Sequence, residues 1–184
     1  MRRRPLAEPV DVLMVCTANV CRSPIMHTVL AAEVPGLTVR SAGTSAPANR
    51  PWHPLSLEVL AEAGHEVTGR AQRLRRPDAV AATLVLTAEG IHRAAVVTFD
   101  PSAEERCFTL LEAARLARIA PPEPGIGAAA LAAHLAATLR EHPLEMNDDL
   151  PDPLHGTIED FRVCRARVEN ALAALIPALR GPDA

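Results

Sequence analysis

The run Val10-Asp11-Val12-Leu13-Met14-Val15 ends directly on Cys16, and a short loop later Ser23-Pro24 reads as the opening of a helix. The run has the length and apolar content of a buried strand. Ser23 is a good capping residue, and Pro24 suits the first helical position. This junction constrains the fold more than any other feature. A buried strand that turns at once into a helix, with further strands and helices alternating behind it, belongs to a parallel sheet with right-handed crossovers. Ligands of such sheets sit at the carboxyl ends of the strands, and Cys16 falls at such an end.

The spacing between Cys16 and Arg22 adds chemistry to that position. On its own a Cys-x5-Arg match is weak, because all 19 basic residues of the 184 are arginine. It gains weight from its setting, and only Cys16 makes it: the same step from Cys21 reaches His27, from Cys107 Ala113 and from Cys164 Asn170. A thiol attacks as its thiolate, which the helix amino end, successive loop amides and the Arg22 guanidinium all favour. The same groups hold a phosphate. Thr17, Ala18, Asn19, Val20 and Cys21 can curl around a tetrahedral oxyanion while Arg22 adds a bidentate, permanently charged contact. Asn19 tolerates the left-handed backbone that such a curl requires, and Ser23 can donate to the thiolate as well as cap.

Composition excludes other classes. The length and the 48% hydrophobic content fit one well-packed domain, and a net charge of -3 argues against a dedicated nucleic-acid binder. Residues 1–9, with Arg2-Arg3-Arg4, read as a flexible, solvated tail. No apolar stretch approaches a membrane span, and four cysteines make no disulfide framework, so a cytoplasmic protein with reduced thiols is expected. The absence of lysine excludes a Walker-type nucleotide loop, and no cysteine pair has zinc spacing. Histidines 27, 53, 65, 92, 134 and 142 show no metal-ligand spacing.

Further along, Leu37–Arg40 reads as a second strand ending at Ser41-Ala42-Gly43-Thr44, and His53–Ala63 as an amphipathic helix stopped by Gly64. Ala79–Leu86 reads as a strand covered on both faces, and Ala94–Phe99 as a fourth. Ser102-Ala103-Glu104-Glu105 fits a capping box for a helix running to about Ile119. A helix over Ile126–Arg140, a polar loop over Pro143–Gly156 and a last helix from Thr157 to Leu175 complete the chain. The expected fold is a single-domain three-layer αβα sandwich over 10–180. It has a four-stranded parallel sheet, the phosphate-binding loop between first strand and first helix, and an extended helical region at about 114–144.

Val15-Cys16-Thr17-Ala18-Asn19-Val20-Cys21-Arg22-Ser23-Pro24 resembles the signature loop of the low-molecular-weight protein tyrosine phosphatases. Ser41-Ala42-Gly43-Thr44 resembles that family's second strand end, Leu84-Val85-Leu86-Thr87 its third strand, and Asp152-Pro153 its general-acid loop. The resemblance implies a phosphomonoester hydrolase, most of all a protein tyrosine phosphatase, needing no metal or cofactor. In it Cys16 forms a phosphocysteine and Asp152 serves as general acid and then base. The residues alone leave Asp148, Asp149 and the Asp100-Pro101 pair as competing acids. The resemblance further implies a hydrogen bond from Ser41 to Asn19, against the plainer reading of a turn hydroxyl. It also implies a reversible Cys16–Cys21 disulfide, against a buried Cys21 that never oxidises.

The sequence departs from the family in three places. Ala18 stands where glycine is common, Arg70 where a histidine is expected, and Leu154-His155-Gly156 where aromatic residues wall the pocket. The expected wall is therefore Leu154, His155 and Trp52, although Pro51 and Pro54 beside Trp52 favour packing at a helix entry. Arg70, Arg73, Arg75 and Arg76 read as a solvated face. The expected partner is a phosphorylated protein, or alternatively a small phosphorylated metabolite. Arsenate reduction on the same loop would call on Cys107 or Cys164, and a catalytically silent phosphate-binding regulator is the rival from another class.

Overall fold

The computed structural model describes residues 10–143 and 148–181. The expected amino-terminal tail, residues 144–147 of the polar loop and the last residue of the extended helical region lie outside them.

Strand β1 spans Val10–Cys16 and is buried at every position but Asp11, as the apolar run Val12–Cys16 requires of a central strand. Helix α1 follows at Arg22–Glu33, then β2 at Val39–Gly43, α2 at Pro54–Glu62, α3 at Arg76–Ala81 and β3 at Ala82–Thr87. Helix α4 covers Gly90–Phe99, a 3-10 turn Pro101–Arg106 and β4 Cys107–Thr109. The chain ends in α5 (Leu110–Ile119), α6 (Gly127–Glu141), α7 (Ile158–Ala173) and α8 (Ile176–Leu179). The four strands are parallel in the order β2-β1-β3-β4. One face carries the larger core, with Met14, Ile25, Leu30, Leu60, Phe108, Leu131 and Phe161. The other, smaller core joins Leu13, Val15 and Val85 to Leu74, Ala79 and Val96. Among the described residues no helix is long and apolar enough to cross a membrane.

The chain leaves β1 toward β2 and returns on β1's other side as β3, so the crevice outside the ends of β1 and β3 is the switch point at which such sheets bind ligands. Cys16 pairs with Gly43 of β2 and Val15 with Thr87 of β3, which places the loop after β1 between both neighbours.

Four expectations need correction. The apolar run Ala79–Leu86 is divided, because Pro77 at the first turn and the Asp78 carboxylate on the Arg75 amide (2.8 Å) start α3, leaving β3 to begin at Ala82. Ala94–Phe99 is helix, not strand: Val96 alone of its apolar side chains is fully buried and Phe99 is 38% exposed, as one helical face requires. The fourth strand is instead Cys107–Thr109, hidden inside the helix expected from Ser102. Ser102 opens only the 3-10 turn, capped by Asp100, whereas the capping box of α5 is Thr109 with Glu112 (3.1 and 3.2 Å). Finally, α1 begins at Arg22 with Cys21 at its cap and no side-chain cap bond, so Ser23 is not a capping residue.

Candidate active site

The loop from Cys16 to Arg22 is held by its carbonyls. Thr44 N donates to Cys16 O (2.9 Å), Ser45 N to Thr17 O (2.8 Å) and His53 N to Val20 O (2.9 Å). In a planar trans peptide the carbonyl and the next N–H point opposite ways, so these bonds turn the amides of Thr17, Ala18 and Cys21 away from the scaffold and into the curl. Asn19 makes the reversal with φ of 52°, which asparagine tolerates better than most residues. Its fully buried amide group then pins the curl from inside. Nδ2 donates to Ser23 Oγ (2.8 Å) and Ser41 Oγ (2.9 Å), and Oδ1 accepts from Gln72 N (2.8 Å). Gln72 N thus supports the loop, while Arg70 bonds to the Asn49 carbonyl (2.8 Å).

Cys16 Sγ, buried at the end of β1, receives Asn19 N at 3.2 Å and lies 3.0 Å from Ser23 Oγ. Ser23 Oγ already accepts from Asn19, so its one proton serves either the Ala42 carbonyl at 3.5 Å or the sulfur, and an anionic sulfur takes it. The surroundings of Sγ are therefore donors. Cys21 is also buried, and burial, followed by the negative groups Asp152 and Cys16, pushes its thiol up to about 12.

Arg22 is 1% exposed, and its Nη hydrogens have four acceptors. Nη1 donates to the Glu89 carboxylate and to Leu150 O (3.0 Å), and Nη2 to Asp152 Oδ2 (2.7 Å) and Thr17 Oγ1 (3.3 Å). A chain of backbone bonds carries this support back to the sheet: Ala88 N to Val15 O (2.8 Å), Leu150 N to Ala88 O (2.7 Å), then Leu150 O to the guanidinium. Asp152 Oδ1 accepts from Leu154 N (3.1 Å), a turn that fixes the carboxylate beside Arg22. The competing acids are engaged elsewhere. Asp148 lies on Arg115 (2.8 Å), Asp149 caps Gly90 N (2.8 Å), and Asp100 pairs with Arg106 (2.6 Å).

Beside Asp152 opens a cavity of about 460 Å³, lined by Pro151–Gly156 with Asp160, Val163, Cys164 and Arg167. Leu154 and His155 belong to its wall; Trp52 does not. The indole is buried across Gly69 and edge-on to His27 at 6.1 Å, the packing role its flanking prolines favoured. Cys164 lies on α7 against the larger core, whereas Cys107 sits in the smaller core on the opposite face of the sheet. Burial pushes both thiols up to about 12. Arg70, Arg73, Arg75 and Arg76 are exposed.

Two neighbours of the loop went unread in the sequence: Glu89 on Arg22, and His92, whose Nε2 lies 2.8 Å from Thr17 Oγ1. Their signal is positional, a carboxylate and an imidazole just past the end of β3 at the switch point. Gly43 is the third support. A Cβ there would come within 2.6 Å of Thr17 O, 2.7 Å of Asn19 N and 2.8 Å of Ala18 C, all backbone atoms unable to yield. Gly43→Ala is expected to cost about 2–3 kcal/mol as overpacking and lower the melting temperature by roughly 5–10 °C. It should also reduce turnover more than a hundredfold by displacing the curl, about 3 kcal/mol of barrier. A melting curve and an initial rate within twofold of the native values would show that the loop does not rest on this strand.

Residues 11–124 match the family model described as low molecular weight phosphotyrosine protein phosphatase, and the chain belongs to that family. It is a cysteine-dependent phosphatase of the low-molecular-weight type. The matched stretch includes the Cys16 loop, Ser41, Glu89 and His92, and stops short of Asp152. A protein-arginine-phosphatase of Geobacillus stearothermophilus is 27% identical over 94% of this chain and 97% of its own. The low molecular weight protein-tyrosine-phosphatase Etp of Escherichia coli is 35% identical over 62% of this chain and 76% of its own. Among solved structures, the low molecular weight protein tyrosine phosphatase of T. tengcongensis superposes with a TM-score of 0.69 at 26% identity, covering 92% of this chain and 99% of that one.

Proposed function

We propose that the protein hydrolyses phosphomonoesters on proteins by a double displacement at Cys16. The observation that carries this reading is the buried Cys16 sulfur, touched by hydrogen-bond donors, at the foot of a curl closed by the buried Arg22. In the first step Sγ bonds to phosphorus as the ester P–O bond breaks, and the Asp152 carboxylic acid gives its proton to the leaving oxygen. In the second step water attacks phosphorus, Asp152 takes its proton, and the S–P bond breaks to release phosphate. Loop amides and Arg22 hold the equatorial oxygens as charge moves through them. The incoming phosphoryl group takes over the Nη2 contact that Asp152 makes, which frees the carboxyl for the leaving group.

Phosphotyrosine is the substrate that the family indicates. The protein-arginine-phosphatase relative, together with the mouth of the site, supports a second reading, phosphoarginine. Around the cavity an aryl ring meets Leu154, Val163 and a single imidazole, His155, while two carboxylates, Asp152 and Asp160, against one guanidinium, Arg167, suit a cationic side chain. Parallel assays on phosphotyrosine and phosphoarginine peptides separate the two by kcat/KM.

The acid role is tested by Asp152→Asn. It is expected to lower kcat/KM, which reports only the first step, by about 10²–10³ on phenyl phosphate, and considerably less on p-nitrophenyl phosphate, whose leaving group needs no proton. An equal loss on both substrates would assign Asp152 a binding role alone.

A further inference from the structure

His92 is 2% exposed in the first turn of α4, and both its ring nitrogens are engaged. Nδ1 faces the Glu89 amide at 3.1 Å, and a backbone N–H can only donate, so Nδ1 carries the lone pair. The proton of the neutral ring is thus on Nε2, which donates to Thr17 Oγ1 at 2.8 Å. Burial, and then the charge on Arg22, hold His92 below its ordinary pKa and keep it neutral. Arg22 Nη2, also only a donor, reaches the same oxygen at 3.3 Å. Both lone pairs of Oγ1 are then filled, and the one hydroxyl proton of Thr17 has to point elsewhere. Thr17 follows the nucleophile directly and is exposed at the loop surface, so this proton is free to meet an anion that arrives over Cys16.

We propose that His92 is a positioning residue for the reaction: through its fixed Nε2–H it orients Thr17 so that the threonine hydroxyl donates to the phosphoryl group held over Cys16. The inference rests on the reading of Cys16 as nucleophile. Thr17 then adds a neutral donor to the loop amides and Arg22, and its contribution depends on a histidine from the first turn of α4. Because Thr17 also bonds to Arg22, the same contact helps hold the guanidinium in register.

A double-mutant cycle tests this with p-nitrophenyl phosphate on the full chain. Thr17→Val removes the hydroxyl at nearly constant volume. His92→Asn is too short to reach Thr17, yet its side-chain oxygen can still accept from the Glu89 amide, which preserves the helix start. Each is expected to lower kcat/KM about tenfold, and the double variant to lose little more than the worse single one, because both remove one interaction. His92→Asn should melt close to the native temperature, and Thr17→Ser should lose several-fold less than Thr17→Val. Multiplying losses near a hundredfold, or an His92→Asn enzyme as fast as the native one, would overturn the proposal. Cys16→Ser in the same series distinguishes the two failures. If it is dead while the cycle multiplies, only the His92 role falls; if it is as active as the native chain, the nucleophile assignment falls with it.

Discussion

Cys16→Ser is expected to abolish aryl phosphate hydrolysis, to below about one part in ten thousand of the native rate, in a protein that still folds and binds phosphate. The expected size of the loss follows from what surrounds the sulfur. Asn19 N donates to it, and Ser23, already accepting from Asn19, has a proton to give and not a base to offer. Donors favour a thiolate, which attacks without a base beside it. A serine hydroxyl at the same place needs a general base, and no such group touches Cys16 Sγ among the described residues. Serine is small enough to keep the loop, so the melting temperature should move by only about 2 °C. Rates measured by release of p-nitrophenol, with melting as control, check this. A serine variant retaining a tenth of the native turnover would point to another nucleophile.

Arg22→Lys combines a catalytic loss with a structural one. The guanidinium serves two carboxylates, a carbonyl and a hydroxyl from a position 1% exposed, and a single ammonium cannot reproduce that fork. Its loss replaces the planar, bidentate contact to the phosphoryl oxygens by a single mobile ammonium, and kcat/KM is expected to fall by about a thousandfold. Glu89, whose side chain is 28% exposed, is left poorly paired, at a cost of about 3 kcal/mol. For a chain of this size that lowers the melting temperature by roughly 5–10 °C. Asp152, with 38% of its side chain exposed, contributes little to that figure because solvent screens it. Removing the partner charge as well, in Arg22→Lys with Glu89→Gln, should recover most of the stability and none of the turnover. Recovery of turnover would mean that Arg22 acts only by neutralising Glu89.

The parts of the fold that were legible are those with a one-dimensional signature. β1 could be read because a central strand buries every face and so shows an unbroken apolar run, and the loop after it because Asn19, Arg22 and Ser23 each answer a local need. β4 was illegible: three residues carry no period, and its own Thr109 is the capping residue of the next helix, which made the region read as helix throughout. The Ala94–Phe99 stretch misled because its consecutive β-branched residues Val96, Val97 and Thr98, followed by Phe99, resemble a short strand although the helix turns them to different sides. In the site, Glu89 and His92 were beyond reach for a different reason. Their partners Arg22 and Thr17 lie 67 and 75 residues away in sequence and meet them only because β3 returns beside β1. Trp52 shows the converse, since a large ring near a loop suggests a pocket wall until Gly69 is seen to make room for it on the inside.

The phosphocysteine is the most direct object of measurement. Asp152→Ala enzyme mixed with p-nitrophenyl phosphate, quenched in acid within the first turnover and digested, should yield one phosphoryl group per chain on the peptide containing Cys16, because loss of the base slows the second step more than the first. The label should be absent from Cys16→Ala handled identically, since alanine offers phosphorus no nucleophilic atom. A phosphoryl group on any other side chain, or none despite turnover, would contradict the account at its centre.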